Sequence, residues 1–271
     1  MIIGKNFYIT EMPKTGTTFL RNYFKQYKNV KITNHHDTLD QNHLFKLSKK
    51  KYKIGTIRNP YLWYFSLWKW SCKKKKLSPI FSDLTSKRIK IKRLKINKNL
   101  FKYILGQLFK NRNEISNIFS DINSKNNFNK FLEIILKFEH RSLIGSDYSF
   151  ISHKNLGFMT YNFLVHNVPK NYYKNLYNNR TTFSSILKNL NKKLELNYFF
   201  KTENLNRDLK LFLKKNNMKI KKLNKLEKNS TASSAKFNLK NLITKKNLKL
   251  IEKKESYLFK KFNYKKISNF I

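Results

Sequence analysis

The chain alternates short apolar runs with amphipathic stretches. Asn6-Phe7-Tyr8-Ile9-Thr10-Glu11 is short, β-branched and aromatic, the pattern of a buried strand. Met12-Pro13-Lys14-Thr15-Gly16 interrupts it with the two residue types that most often punctuate a turn. From Thr17 the spacing becomes helical, with Phe19, Leu20, Tyr23, Phe24 and Tyr27 on one face. A second strand is predicted from Lys53 to Ile57, closed by Arg58-Asn59-Pro60. There Asn59 suits an N-cap and Pro60 the first residue of a helix reaching about Trp70, anchored by Trp63, Phe65, Trp68 and Trp70.

Further along, helices are expected over Phe128–Phe138, Leu156–Val165 and Leu205–Leu213, with a strand at Tyr198–Thr202. One long amphipathic helix is expected between Leu239 and Phe262. The stretch 73–127 is lysine-rich with weak periodicity and is expected as a helical, mobile insertion. Lys228-Asn229-Ser230-Thr231-Ala232-Ser233-Ser234 reads as a polar loop. No internal repeat or linker divides the chain. The alternation of strands and helices predicts one α/β domain over residues 1–271: a three-layer fold with a central parallel sheet flanked by helices.

Composition narrows the class. The 271 residues include 40% hydrophobic side chains, enough for a core, which excludes a disordered polycation despite a formal net charge of +44. A lone Cys72 excludes a disulfide scaffold and a cysteine zinc site. No apolar run is long enough to span a membrane, and the N-terminus lacks the apolar core of a signal peptide, so a cytoplasmic protein is expected. The charge itself says less than its size suggests. Only eight of the 59 basic residues are Arg, Ala occurs only at 232 and 235, and Lys, Asn, Ile, Phe and Tyr are abundant. The depleted residues have GC-rich codons, so most lysines read as a solvated surface inflated by base composition rather than a nucleic-acid site. The arginines, retained against that trend, are the more informative cations.

Pro13-Lys14-Thr15-Gly16-Thr17-Thr18 passes from a strand end to a helix start, where unpaired backbone N–H groups and the helix dipole favour an anion. Gly16 permits close backbone approach, Thr17 and Thr18 add hydroxyls, and Lys14 supplies a point charge for a leaving oxygen. The nucleotide-triphosphate loop places its lysine after the glycine; here it precedes by two. The order resembles the 5′-phosphosulfate-binding loop of sulfotransferases, Pro-Lys-Ser/Thr-Gly-Thr-Thr. Arg58-Asn59-Pro60, with Ser66 eight residues after the arginine, resembles the 3′-phosphate site of the same family. Glu203-Asn204-Leu205 at the end of the late strand looks like a third family element. The resemblance implies a P-loop-like fold in which Lys14, Thr15, Gly16, Thr17 and Thr18 hold the 5′ phosphosulfate of 3′-phosphoadenosine-5′-phosphosulfate (PAPS), while Arg58 and Ser66 clamp its 3′ phosphate. It covers both ends of the fold and leaves 73–156 unmatched, so acceptor identity stays open.

Sulfuryl transfer to a hydroxyl also needs a base, and histidine titrates in the useful range. Of the six histidines, 35, 36, 43, 140, 153 and 166, the cluster Asn34-His35-His36-Asp37-Thr38 is the most polar. It resembles the His-x-Thr segment of carbohydrate-type bacterial sulfotransferases, which aligns His36 as the base; His35 and Asp37 are the alternatives. No metal is expected, since adjacent histidines point apart and no cysteine or Glu completes a ligand set. The expected activity is PAPS-dependent transfer of a sulfuryl group to a hydroxyl acceptor, a carbohydrate by family likeness. The rivals are a P-loop small-molecule kinase and a non-catalytic basic nucleic-acid-binding protein.

Overall fold

Five short strands pair into one sheet in the computed structural model, which describes residues 1–34, 47, 49–87, 89, 98–169, 174–177, 182–194, 196–221 and 239–267. Among these the chain runs β1 (Ile2–Ile3), β2 (Phe7–Ile9), α1 (Thr17–Phe24), β3 (Lys31–Ile32), β4 (Tyr52–Ile57) and α2 (Pro60–Lys73). Next come α3 (Pro79–Thr85), α4 (Lys98–Leu108), α5 (Arg112–Asn117), α6 (Lys125–Leu136), α7 (Phe158–Asn167) and α8 (Phe183–Lys193). The C-terminal part holds β5 (Tyr198–Lys201), α9 (Leu205–Lys215), α10 (Leu239–Leu242), α11 (Lys245–Lys254) and α12 (Ser256–Phe262). The stretch expected as an insertion, 73–127, thus contributes α3, α4 and α5. These elements gather into two compact units that interleave along the sequence.

The first unit is built from 1–59, 162–175 and 184–233 and carries the sheet, in the order β3-β1-β2-β4-β5. β2, β4 and β5 are parallel, with Ile9 beside Ile54 and Ile57 beside Lys201. β1, however, is antiparallel to both β2 and β3, so the sheet is mixed rather than wholly parallel as expected. The reason is local: only three residues, Gly4, Lys5 and Asn6, separate β1 from β2, enough for a hairpin and far too few for a parallel crossover. Strand alternation gives each face its own core. Phe7, Ile9, Ile54 and Phe200 pack with Leu20, Tyr23 and Phe24 of α1 and with Leu209, Phe212 and Leu213 of α9. On the opposite face lie Met1, Tyr8, Leu196 and Phe199, and Phe163 of α7 meets Phe199 at 6.1 Å between ring centroids. Helix, sheet, helix is the three-layer arrangement of an α/β protein. Glu11, fully buried, follows β2 and pairs with Arg21 of α1 and with the Met1 amino group at 2.9 Å. Arg21 also donates to the carbonyls of Thr33 and Asn34, which ties α1 to the segment after β3.

The second unit comprises 60–161, 176–183 and 234–271 and is helical. Tyr61, Trp63, Tyr64, Phe65 and Trp68 of α2 are all buried. Phe65 and Trp68 pack on Phe128 of α6 at 5.4 and 5.0 Å, and Tyr61 on Phe259 of α12 at 5.2 Å. The long helix expected over Leu239–Phe262 is broken twice. At the first break the Asn129 side chain donates to Leu242 O and accepts from Thr244 N, while Thr244 caps α11 through Asn247 N. At the second, Glu255 leaves helical geometry and turns its carboxylate inward. That carboxylate accepts from the Tyr64 hydroxyl, Met159 N, Thr160 N and Thr160 Oγ1. Met159 and Thr160 sit in the first turn of α7, where a negative group is favoured. Gly157 is required there, because a β-carbon at this position would collide with the Glu255 carboxylate. Arg141, also buried, holds the incoming loop by donating to Ile151 O, His153 O and Leu156 O.

Burial pushes the Glu255 carboxyl above its ordinary 4.5, against the pull of these donors. The folded protein therefore holds this proton more tightly than the unfolded chain does. Its contribution to stability is fully present below about 4.5 and declines as pH rises through the raised value. Replacing Glu255 with Ala strands three buried donors, Met159 N keeping the Tyr64 hydroxyl as acceptor, and is expected to lower the unfolding free energy by about 3–5 kcal/mol. Urea unfolding of Glu255→Ala checks this, and an unchanged midpoint would show that the carboxylate does not hold the helix junction.

Candidate functional site

The first unit's parallel strands put three chain corners at one sheet edge. β2 leads into Thr10 to Gly16, β4 into Arg58-Asn59, and β5 into the 3-10 turn Thr202–Asn204. Carboxyl ends of parallel strands are where α/β proteins bind ligands.

The corner after β2 is held from within. Thr10 N continues the ladder to Ile54 O at 2.8 Å, and its hydroxyl meets Ile54 O and the Asn167 side chain of α7. Met12 N donates to Thr56 Oγ1. Thr15 is fully buried, and its hydroxyl donates to Met12 O at 2.6 Å and lies 2.6 Å from Thr56 Oγ1. That hydroxyl is committed to shaping the corner, so what Thr15 can offer a ligand is its main chain. Lys14 and Gly16 both take left-handed backbone, at φ 66° and 84°. For lysine this is uncommon, and the surrounding hydrogen bonds must hold it there. A β-carbon at Gly16 would stand 2.6 Å from Leu205 Cδ2, so sterics and φ both select glycine. α1 begins at Thr17 with no side-chain cap and no acidic residue in its first turn, leaving its N-terminal N–H groups for other partners. Thr17 is buried and Thr18 exposed.

Arg58 Nη1 donates to the Lys14 carbonyl at 3.3 Å, which joins the second corner to the first. The third closes on the second: Thr202 Oγ1 donates to Ile57 O at 3.0 Å, and Glu203 Oε1 accepts from Asn59 N at 2.6 Å. The half-buried Lys14 ammonium is pulled from 10.5 down to about 8, first by desolvation and then by the charge of Arg58. Two cations held together in a partly dry corner are electrostatically unfavourable unless an anion joins them. Folding thus releases this proton between about pH 8 and 10.5. The penalty is complete below about 8 and is relieved as pH climbs through that window.

The residues expected to bind the 5′ end, Lys14 to Thr18, and Arg58 thus come together. Ser66 lies on α2 in the second unit, 2% exposed. His36, with His35, Asp37 and His43, lies outside the described residues, as does the polar loop 228–234. Thr56 was not legible as a site residue, since a lone threonine in a strand carries no signal of its own. Its role as the anchor of Met12 and Thr15 emerges only from pairing β4 beside β2. The described residues hold no group of three His, Cys, Asp or Glu side chains that could bind a metal. Burial raises the Cys72 thiol to about 11, so it is no nucleophile near neutral pH. No described helix is long and apolar enough to cross a membrane. No family model, curated protein or solved structure matches the chain.

Removing the guanidinium tests the electrostatic account. In Arg58→Leu the Lys14 pKa should rise above about 8 yet stay below 10.5, because desolvation is the larger cause. NMR titration of methylated lysines reads this directly, and no upward movement would mean that the two cations do not interact.

Proposed function

We propose that the protein is a sulfotransferase that moves the sulfuryl group of PAPS to a hydroxyl acceptor, a carbohydrate, within a P-loop-like α/β unit in the cytoplasm. The observation that carries this reading is the pairing of Lys14 and Arg58 across two neighbouring strand ends, both cations beside an uncapped helix N-terminus. The hexad Pro13 to Thr18 and Arg58-Asn59-Pro60 supply the family resemblance, and the bond from Arg58 to the Lys14 carbonyl supports reading Lys14 and Arg58 together.

The residues at this corner fit a nucleotide with charge at both ends. Backbone N–H groups at the start of α1, with the Thr17 and Thr18 hydroxyls, suit the 5′ end. The planar guanidinium of Arg58 suits the 3′ phosphate; Ser66 is assigned there by resemblance alone. The bound nucleotide supplies the sulfuryl group together with a phosphate as leaving group. Lys14 neutralises charge on the departing oxygen, and a lysine poised near pH 8 regains its full charge when an anion arrives. His36 is assigned to take the proton of the acceptor hydroxyl, a role it holds by resemblance alone.

Lys14→Ala is expected to reduce transfer of labelled sulfate by about 10²–10³-fold or more. Arg58→Ala should weaken binding of adenosine 3′,5′-bisphosphate by roughly tenfold or more, as expected for loss of a charged hydrogen bond. Thermal-shift titration separates the reading from its rivals. Stabilisation by adenosine 3′,5′-bisphosphate supports it, stabilisation by ATP with magnesium favours a kinase, and preference for a polynucleotide favours a nucleic-acid binder. Undiminished transfer by Lys14→Ala would refute the mechanism.

A further inference from the structure

Within the second unit, α4 has two unlike faces. Its inner face is fixed: Leu100 and Tyr103 are buried against Phe150, with the Tyr103 and Phe150 rings 4.6 Å apart. Gln107, also buried, donates to Ser142 O at 2.7 Å, and Gly106 lies against Ser142. This leaves little freedom in how the helix is rotated. The face turned outward is therefore set by packing, and it is apolar. Phe101 is 65% exposed, Leu108 46% and Phe109 81%, with half-buried Leu105 between them. Spacings of four, seven and eight residues from Phe101 place these side chains in one stripe along the helix. Scattered single apolar residues on a surface need no explanation, whereas two phenylalanines in such a stripe do.

The charge along this stretch of sequence indicates what would cover the stripe. From Lys87 to Arg112 the sequence contains ten Lys or Arg and no Asp or Glu; the first carboxylate beyond is Glu114. Lys102 stands exposed on the helix and Arg112 just after it, while Lys110 folds back to the carbonyls of Asp83 and Ser86. An apolar stripe flanked by cations is the pattern of a helix that lies in the plane of an anionic bilayer, with aromatics at the acyl boundary and ammonium groups among the headgroups. A second copy of this chain is a poor occupant, since it would bring Lys102 and Arg112 against their like and a net charge of +44 against the same charge. We propose that the outer face of α4, through Phe101, Leu105, Leu108 and Phe109, docks the protein onto an anionic phospholipid surface. This is independent of the sulfotransferase reading.

The test is co-sedimentation of the full chain with two kinds of vesicle, phosphatidylcholine alone and an equimolar mixture with phosphatidylglycerol, at about 0.15 M salt. The expected result is binding to the mixed vesicles, little to phosphatidylcholine alone, and at least tenfold weaker partitioning of Phe101→Ser/Phe109→Ser at an unchanged melting temperature. If that variant binds mixed vesicles as well as the parent, the attraction is charge alone and the proposal is overturned. It is likewise overturned if the parent binds neither vesicle or binds both equally. Self-association of the parent without lipid, abolished by the same substitutions, would assign the stripe to a second copy instead.

Discussion

Parallel pairing of β2, β4 and β5 is the constraint on which the candidate site depends. Parallel strands must all end at the same edge, so whatever follows each of them in sequence is delivered to one place. Lys14, Arg58 and Glu203 are far apart along the chain, and nothing local requires them to meet. The ladder Ile9–Ile54 and Ile57–Lys201 brings their corners together, and three side-chain bonds then lock them. Those bonds are Arg58 to Lys14 O, Thr202 to Ile57 O, and Glu203 to Asn59 N. Shifting β4 by one residue would turn Thr56 away from Met12 and Thr15, and the left-handed corner would lose its inner support.

The strand-corner-helix units were legible because their signals are local. Proline and glycine mark the turns, the helical period starts at Thr17, and Pro60 announces a helix first residue, which the structure extends to Lys73. The strands that escaped notice, β1 and β3, are two residues each, too short for any periodicity to register. The hidden breaks in the C-terminal helix have a different cause. Leu239 to Phe262 carries an unbroken amphipathic pattern, and what divides it are partners distant in sequence: Asn129 at the first break, then Tyr64, Met159 and Thr160 around Glu255. A pattern reports which face is apolar; it does not report that a buried carboxylate will claim four donors from elsewhere.

The arginines carry a related lesson. Retained in a lysine-rich composition, they read as markers of chemistry, yet two of them are structural. Arg21 is buried against Glu11, and Arg141 is buried among main-chain carbonyls with its guanidinium over the Phe138 and Tyr148 rings. Both uses exploit the planar, multiply donating head that lysine lacks. Arg58 differs by its place: half-buried after β4, it donates to the Lys14 carbonyl where the parallel strands end. Composition can therefore flag an arginine as unusual, but only its surroundings tell an internal fastener from a candidate ligand contact.

The same distinction bears on the net charge of +44. Solvated surface lysines are screened over about 8 Å at physiological salt, so their number adds a diffuse field and little local discrimination. The pKa of Lys14, like that of Lys254, is brought down to about 8 by desolvation and a nearby arginine. What distinguishes Lys14 is its place at the carboxyl ends of the parallel strands, where its charge can respond to what occupies the corner. An anion entering there restores the proton and gains the attraction of both cations in a medium less polar than water, where each interaction is stronger. At this corner the cation of consequence is thus one that folding makes uncomfortable. A chain with half as many surface lysines would have the same corner, provided that β2 and β4 kept their register and Gly16 kept its left-handed turn.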